Sequence, residues 1–97
     1  MIPNMKNLRI FVDVDLTLID IHDQLNKALV RRLELLKKND CFIVCWSAGG
    51  LPYIRRILQE HQIEHLFDDI MEKPDFVIDD KKDLGVIHLL PGQAAGY

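Results

Sequence analysis

Cysteine is scarce in this 97-residue chain, with only 2 in all. Cys41 and Cys45 cannot make a disulfide framework. Their C-x3-C spacing is not the C-x2-C of a zinc knuckle, and no second pair exists. Both fall in an apolar run, so buried, reduced thiols are expected. Long apolar runs are also missing. The longest, residues 41–46, falls far short of the ~18 residues a membrane span requires. Residues 1–7 carry no cleavable-signal pattern. These absences point to a reducing, cytoplasmic setting without a membrane partner. An excess of basic charge is lacking too: 12 Lys and Arg face 15 Asp and Glu, a formal net charge of −3. General nucleic-acid binding by bulk electrostatics is therefore disfavoured. Arg31, Arg32, Lys37, Lys38, Arg55 and Arg56 still leave room for local basic patches. There are no internal repeats and no low-complexity segments.

Apolar residues make up 48% of the chain, enough for one core, so residues 1–97 read as a single domain. Leu8-Arg9-Ile10-Phe11-Val12 is a short β-rich run that stops at Asp13. Residues 41–46 are continuously apolar, the pattern of a strand covered on both faces. Phe76-Val77-Ile78 is a third such run and ends at Asp79-Asp80. Val86-Ile87-His88-Leu89-Leu90 is a fourth, closed by Pro91-Gly92. Leu25, Ala28, Leu29, Leu33 and Leu36 form one apolar stripe of a helix, with Asn39-Asp40 as its stop. A second helix is expected from Pro52 to His61, with Pro52 in its first turn. Ile70 and Met71 suggest a brief further strand. The fold class predicted by this alternation is α/β, a Rossmann-like parallel sheet flanked by helices.

Parallel sheets place their ligands beyond the carboxyl ends of the strands. Those ends carry Asp13, Asp15 and Thr17, then Ser47, Ala48, Gly49 and Gly50, then Asp79 and Asp80, with Lys73 just before the third run. Converging carboxylates repel unless a proton or cation relieves them. A hard divalent ion with oxygen ligands is the simplest relief, and Mg²⁺ suits it. Taken singly, each residue also has an ordinary role: a strand-end Asp is often a turn or cap residue, Ser47 a helix cap, Lys73 a solvated charge. Asp20, His22 and Asp23 resemble a small metal cluster, but turn and helix-start duty accounts for them. Trp46 reads as core, with its edge near the site.

The segment Phe11-Val12-Asp13-Val14-Asp15-Leu16-Thr17-Leu18 resembles the first motif of the haloacid dehalogenase-like (HAD) phosphohydrolases, D-x-D-x-T after an apolar strand. Ser47 after its apolar run resembles the second motif, Lys73 the third, and Asp79-Asp80 the fourth. The four follow the family's order and span residues 8–80. The resemblance implies a minimal HAD-like core without a cap domain, because no segment between the motifs is long enough for one. It implies a Mg²⁺-dependent phosphatase with Asp13 as nucleophile and Asp15 as general acid and base. Ser47, Ala48, Thr17 and Lys73 would hold the phosphate. Asp13, the Asp15 carbonyl and the pair Asp79 and Asp80 would hold the metal, with Asp80 favoured as the direct ligand.

The substrate expected for such an open site is a small phosphomonoester or the exposed phosphate of a macromolecule. A thinly covered sheet edge makes a homodimer conceivable. The alternative is a non-catalytic HAD-like protein that binds a metal or a partner. A phospho-acceptor receiver module is a third class, but its acceptor ends the third strand, where this chain offers only Asp68-Asp69 before Ile70. Two departures from the family stand out. Leu16 occupies a position where Gly is common. Only Pro74 and Asp75 separate Lys73 from the third run, too short a link at ~3.3 Å per residue to cross two strands.

Overall fold

The computed structural model describes residues 6–76 and residue 78. Strand β1 (Arg9–Asp13) leads to helix α1 (Lys27–Lys38), β2 (Phe42–Ser47), α2 (Leu51–Glu60), a 3-10 turn (Glu64–Leu66) and β3 (Asp69–Glu72). The three strands form one parallel sheet in the order β1-β2-β3. This is the α/β alternation expected from the sequence. Val77 of the third apolar run, the Asp79-Asp80 pair after it and the whole of the fourth run, residues 86–90, lie outside the described residues.

The two helices start differently: a side chain caps α1, and glycine precedes α2. Asn26 precedes α1, and its Oδ1 accepts the Leu29 amide at 3.0 Å, one of the orphan donors of a helix start. The helix therefore begins at Lys27. Leu25, expected as its first stripe residue, instead pairs with Ile19 across an isolated bridge. Both helices end alike. Asp40 takes a φ of 61° and Gln62 a φ of 56°. Cys41 N–H then returns to Leu36 O, and Ile63 N–H to Leu58 O. These are Schellman closures, and each brings a buried apolar residue against another: Cys41 on Leu36, Ile63 on Leu58.

Both helices cover the same face of the sheet, as right-handed crossovers advancing in one direction require. Val12, Ile43 and Cys45 meet Leu33, Leu36, Ile54, Ile57 and Leu58 there in a single core. Both cysteines are free and buried, and burial pushes the Cys45 thiol up to about 12. On the other face the described residues give less cover, although Val44 there is buried. Phe11 and Phe42 remain 44% and 45% exposed, and Met71 is exposed beside them. No helix among the described residues crosses that face.

The strand expected at 76–78 also needs correction. Phe76 and Ile78 belong to no strand, and they are 87% and 98% exposed. The reason is reach. A further parallel strand requires a crossover of about a dozen residues, and Lys73, Pro74 and Asp75 are all that follow β3 before Phe76. No helix among the described residues is long and apolar enough to cross a membrane.

Asp68 fastens the start of β3. Its carboxylate accepts the Ile43 amide at 2.7 Å and both of its oxygens accept from Lys37 Nζ, at 2.8 and 2.9 Å. The Lys37 contact, followed by the Ile43 amide, holds the Asp68 carboxyl below its ordinary value. A half-exposed ion pair alone is worth less than about 1 kcal/mol, but a buried amide left unpaired costs about 1–3 kcal/mol. Asp68→Ala is therefore expected to destabilise the fold by about 1–3 kcal/mol in urea melts, and Asp68→Asn, which keeps an oxygen for Ile43, by less. Because the carboxyl is lowered on folding, its contribution is whole above about pH 4 and drains as pH falls through the lowered value. The gap between wild type and Asp68→Ala should close over that acid range.

Candidate active site

The parallel register brings the strand ends together. Asp13 stands opposite Trp46, and Ser47 opposite Glu72. Lys73 N–H donates to Ser47 O at 3.0 Å, which carries the β2–β3 pairing one step past Glu72. From there Lys73 Nζ reaches to 3.8 Å from Asp13 Oδ1 and lies 5.8 Å from the centre of the Trp46 ring. Trp46 is itself braced by Phe11, with ring centres 4.7 Å apart and planes tilted by 53°. So Trp46 is half-buried and carries the lysine on its face. The short link after β3 thus delivers Lys73 to Asp13 without any crossing, since β3 ends beside β2.

Asp13 is half-buried. Burial raises its carboxyl pKa; Lys73 and the Val14 amide act against that, and the Asp15 charge adds to it. Partial desolvation beside one cation at the edge of contact is what marks Asp13 as a candidate functional carboxylate.

The loop after β1 is shaped by its backbone. Val14 O accepts from the amides of Thr17, Leu18 and Ile19. Asn26 ties this loop to α1, donating its amide to Leu18 O at 2.8 Å and its Nδ2 to Thr17 O at 3.2 Å. Leu16, at the loop's tip, takes a φ of 62°. This is the left-handed region that glycine enters freely and leucine enters at a cost. The departure noted at this position is thus a matter of backbone conformation.

Thr17, expected to hold phosphate, is buried, and its hydroxyl has no hydrogen-bond partner among the described residues. Ser47 is buried as well, and its Oγ accepts the Gly49 amide at 3.0 Å. The hydroxyl closes the 47–50 turn, while Ala48 is exposed at its tip. Asp20 Oδ1 accepts the amides of His22 and Gln24, at 2.8 and 2.9 Å, and these bonds lower its pKa. Asp20 is a turn residue, in keeping with the structural reading of the 20–23 segment. Asp68 sits at the far end of β3, engaged by Lys37, so the receiver-type acceptor finds no support.

One residue of the site was not legible in the sequence. Tyr53, in the first turn of α2, donates its hydroxyl to Asp15 Oδ1 at 2.5 Å. Burial first, then the Asp15 carboxylate, pushes the phenol up to about 12. Its ring is admitted by Gly49, where a Cβ would come within 2.7 Å of Tyr53 Cδ2. Gly50 caps the helix at a φ of 96°. The Gly49-Gly50 pair therefore does two separate jobs, one steric and one conformational. The signal available beforehand was an aromatic hydroxyl one turn after a glycine pair at a strand end.

Asp13 and the Asp15 carbonyl are hard oxygen donors, the chemistry Mg²⁺ takes, and that ion commonly uses one or two carboxylates with water and phosphate completing its shell. Among the described residues no group of three or more His, Cys, Asp or Glu converges as a metal cluster. The acidic pair expected to complete the set, Asp79 and Asp80, lies outside the described residues. Compared with family models, curated proteins and solved structures, the chain matches none.

The left-handed φ of 62° at Leu16 has an energetic consequence. The left-handed conformation costs about 1–2 kcal/mol for a residue with a Cβ, and glycine returns about 0.5–1 kcal/mol of that through its freer unfolded chain. The Leu16 side chain is 42% exposed, so its removal also gives up part of its burial. The net gain expected for Leu16→Gly is therefore small, at most about 0.5 kcal/mol, read as a urea midpoint at or slightly above wild type at unchanged slope.

Proposed function

We propose that this chain is a Mg²⁺-dependent phosphohydrolase of the haloacid dehalogenase-like type, acting on a phosphomonoester in the cytoplasm. The observation that carries the reading is the meeting of a half-buried Asp13, a tethered Asp15 and Lys73 at one edge of a parallel sheet. Two carboxylates two residues apart can divide the work of a displacement at phosphorus. Asp13 attacks, and the bond from its Oδ to phosphorus forms as the bond to the leaving oxygen breaks. Asp15 gives its proton to that oxygen, so an alcohol departs rather than an alkoxide. Water then attacks the aspartyl-phosphate and yields its proton to Asp15. The acyl-phosphate bond breaks, inorganic phosphate leaves, and both carboxyls return to their starting states.

Lys73 supports this chemistry from its place beside Asp13, where an ammonium offsets the charge on transferring oxygens. Ser47 and Ala48 contribute the 47–50 turn at the start of α2, whose helix end favours an anion. Bound Mg²⁺ would supply charge neutralisation between the carboxylate and the phosphate. Asp13, the Asp15 carbonyl and one of Asp79 and Asp80, with Asp80 favoured, are the residues that would hold it. The exposed position of Asp15 suits either a small ester or the phosphate of a macromolecule. The basic candidates for a nucleic-acid surface are partly neutralised, since Lys37 is paired with Asp68 and Arg56 with Glu60.

The test is phosphate release from a broad panel of phosphomonoesters, with Mg²⁺ and with a chelator, for wild type and Asp13→Asn. Release that needs Mg²⁺ and falls by at least about 10²-fold in the variant is the expected result, the scale of losing a covalent route. Absence of release from every ester, with Mg²⁺ still bound, would overturn it in favour of a non-catalytic metal- or partner-binding protein.

A further inference from the structure

We propose that Tyr53 is the positioning residue for Asp15, fixing which carboxyl oxygen exchanges a proton with the leaving group; this rests on the phosphohydrolase reading above. Asp15 sits on an exposed loop, where a short carboxylate is free to rotate. Tyr53 removes that freedom by donating its hydroxyl to Oδ1 at 2.5 Å. The phenol can do this because it is itself held. Its helix is anchored in the core through Ile54, Ile57 and Leu58. Its ring lies against the bare Cα of Gly49, and the Arg56 guanidinium sits 5.4 Å from the ring centre. A rigid donor on a packed helix thus reaches across to a loop carboxylate that has no such support of its own.

With Oδ1 occupied by the phenol, Oδ2 is the oxygen that carries the transferable proton. In the first step the Oδ2 proton passes to the departing oxygen as its bond to phosphorus breaks. In the second step the attacking water returns a proton to Oδ2. The Tyr53 hydroxyl keeps its own proton throughout, so its part is orientation. Prepaid orientation of this kind lowers the barrier only where the proton is needed in the transition state.

That condition supplies the experiment. Glycerol phosphate has a poor leaving group that must be protonated as it departs. p-Nitrophenyl phosphate has a good one that need not be. Tyr53→Phe keeps the ring and deletes only the hydroxyl. The expected result is a kcat/KM, which reports transfer to Asp13 and departure of the leaving group rather than the hydrolysis common to both esters, about tenfold lower on glycerol phosphate and changed by under about twofold on p-nitrophenyl phosphate. In an Asp15→Asn background the same substitution should cost nothing further. Equal losses on both esters, or no loss on either, would overturn the role of Tyr53 while wild-type and Asp13→Asn kinetics leave the phosphohydrolase reading standing. Wild type inactive on both esters and on the whole panel would remove that reading and this role together.

Discussion

The register of β1 on β2 is the constraint from which the candidate site follows. Asp13 is opposite Trp46 and Phe11 opposite Val44, so the pleat sends Phe11, Asp13 and Trp46 toward one face and Val12, Ile43 and Cys45 toward the helices. A slip of one residue would bury Asp13 in the core and expose Val12. The helices resist that slip, because Val12, Ile43 and Cys45 are each almost fully enclosed by them. The same register leaves Trp46 beside Phe11 and under Lys73. Core packing on one face therefore determines the charge arrangement at the strand ends, although no charged residue contributes to the core.

What lies beyond the strand ends is held differently. The 14–26 loop has few side chains in common with the core, yet Val14, Leu18 and Ile19 pin it there. Its polar connections are backbone bonds to Val14 O and the several bonds made by Asn26. One asparagine thus caps α1, closes the loop and joins the two. A domain of this size has only a few kcal/mol of net stability, so a residue that serves three contacts has an outsized effect. The strained tip at Leu16 draws on the same reserve.

Much of this architecture was legible in the chain. Runs at 8–12 and 41–46 became β1 and β2 within a residue, and the stripe Leu29, Leu33 and Leu36 became the inner face of α1. Ile70 and Met71 lie within β3 as expected. The pattern misled where apolar content was taken for burial. Phe11 and Phe42 have the composition of a doubly covered strand, but coverage depends on which side the crossovers run, which is a property of chain order rather than of the strand. Phe76 and Ile78 read as a strand because periodicity carries no information about reach. At the site, Asp13 and Lys73 were found because their chemistry is recognisable in sequence. Tyr53 was not, because its partner is 38 positions away and only the fold brings a helix's first turn to the loop after β1. Asp68 escaped for the same reason, since its partners Ile43 and Lys37 are 25 and 31 positions away.

The electrostatics of Asp13 follow from these placements. Burial disfavours its charged form, and the Asp15 charge adds to that, while Lys73 and the Val14 amide favour it. The nucleophilic role proposed for Asp13 would need a carboxylate that is ionised yet poorly solvated, and those demands conflict unless a cation stands near without neutralising it by tight contact. At 3.8 Å, Lys73 is close enough to favour the anion and too far for a strong hydrogen bond. Its stance on the Trp46 ring gives the ammonium a second source of stabilisation, so it is not drawn fully onto Asp13. Trp46, opposite Asp13 in the register, thus shares the ammonium with it, and the ring contact with Phe11 ties that arrangement to the sheet.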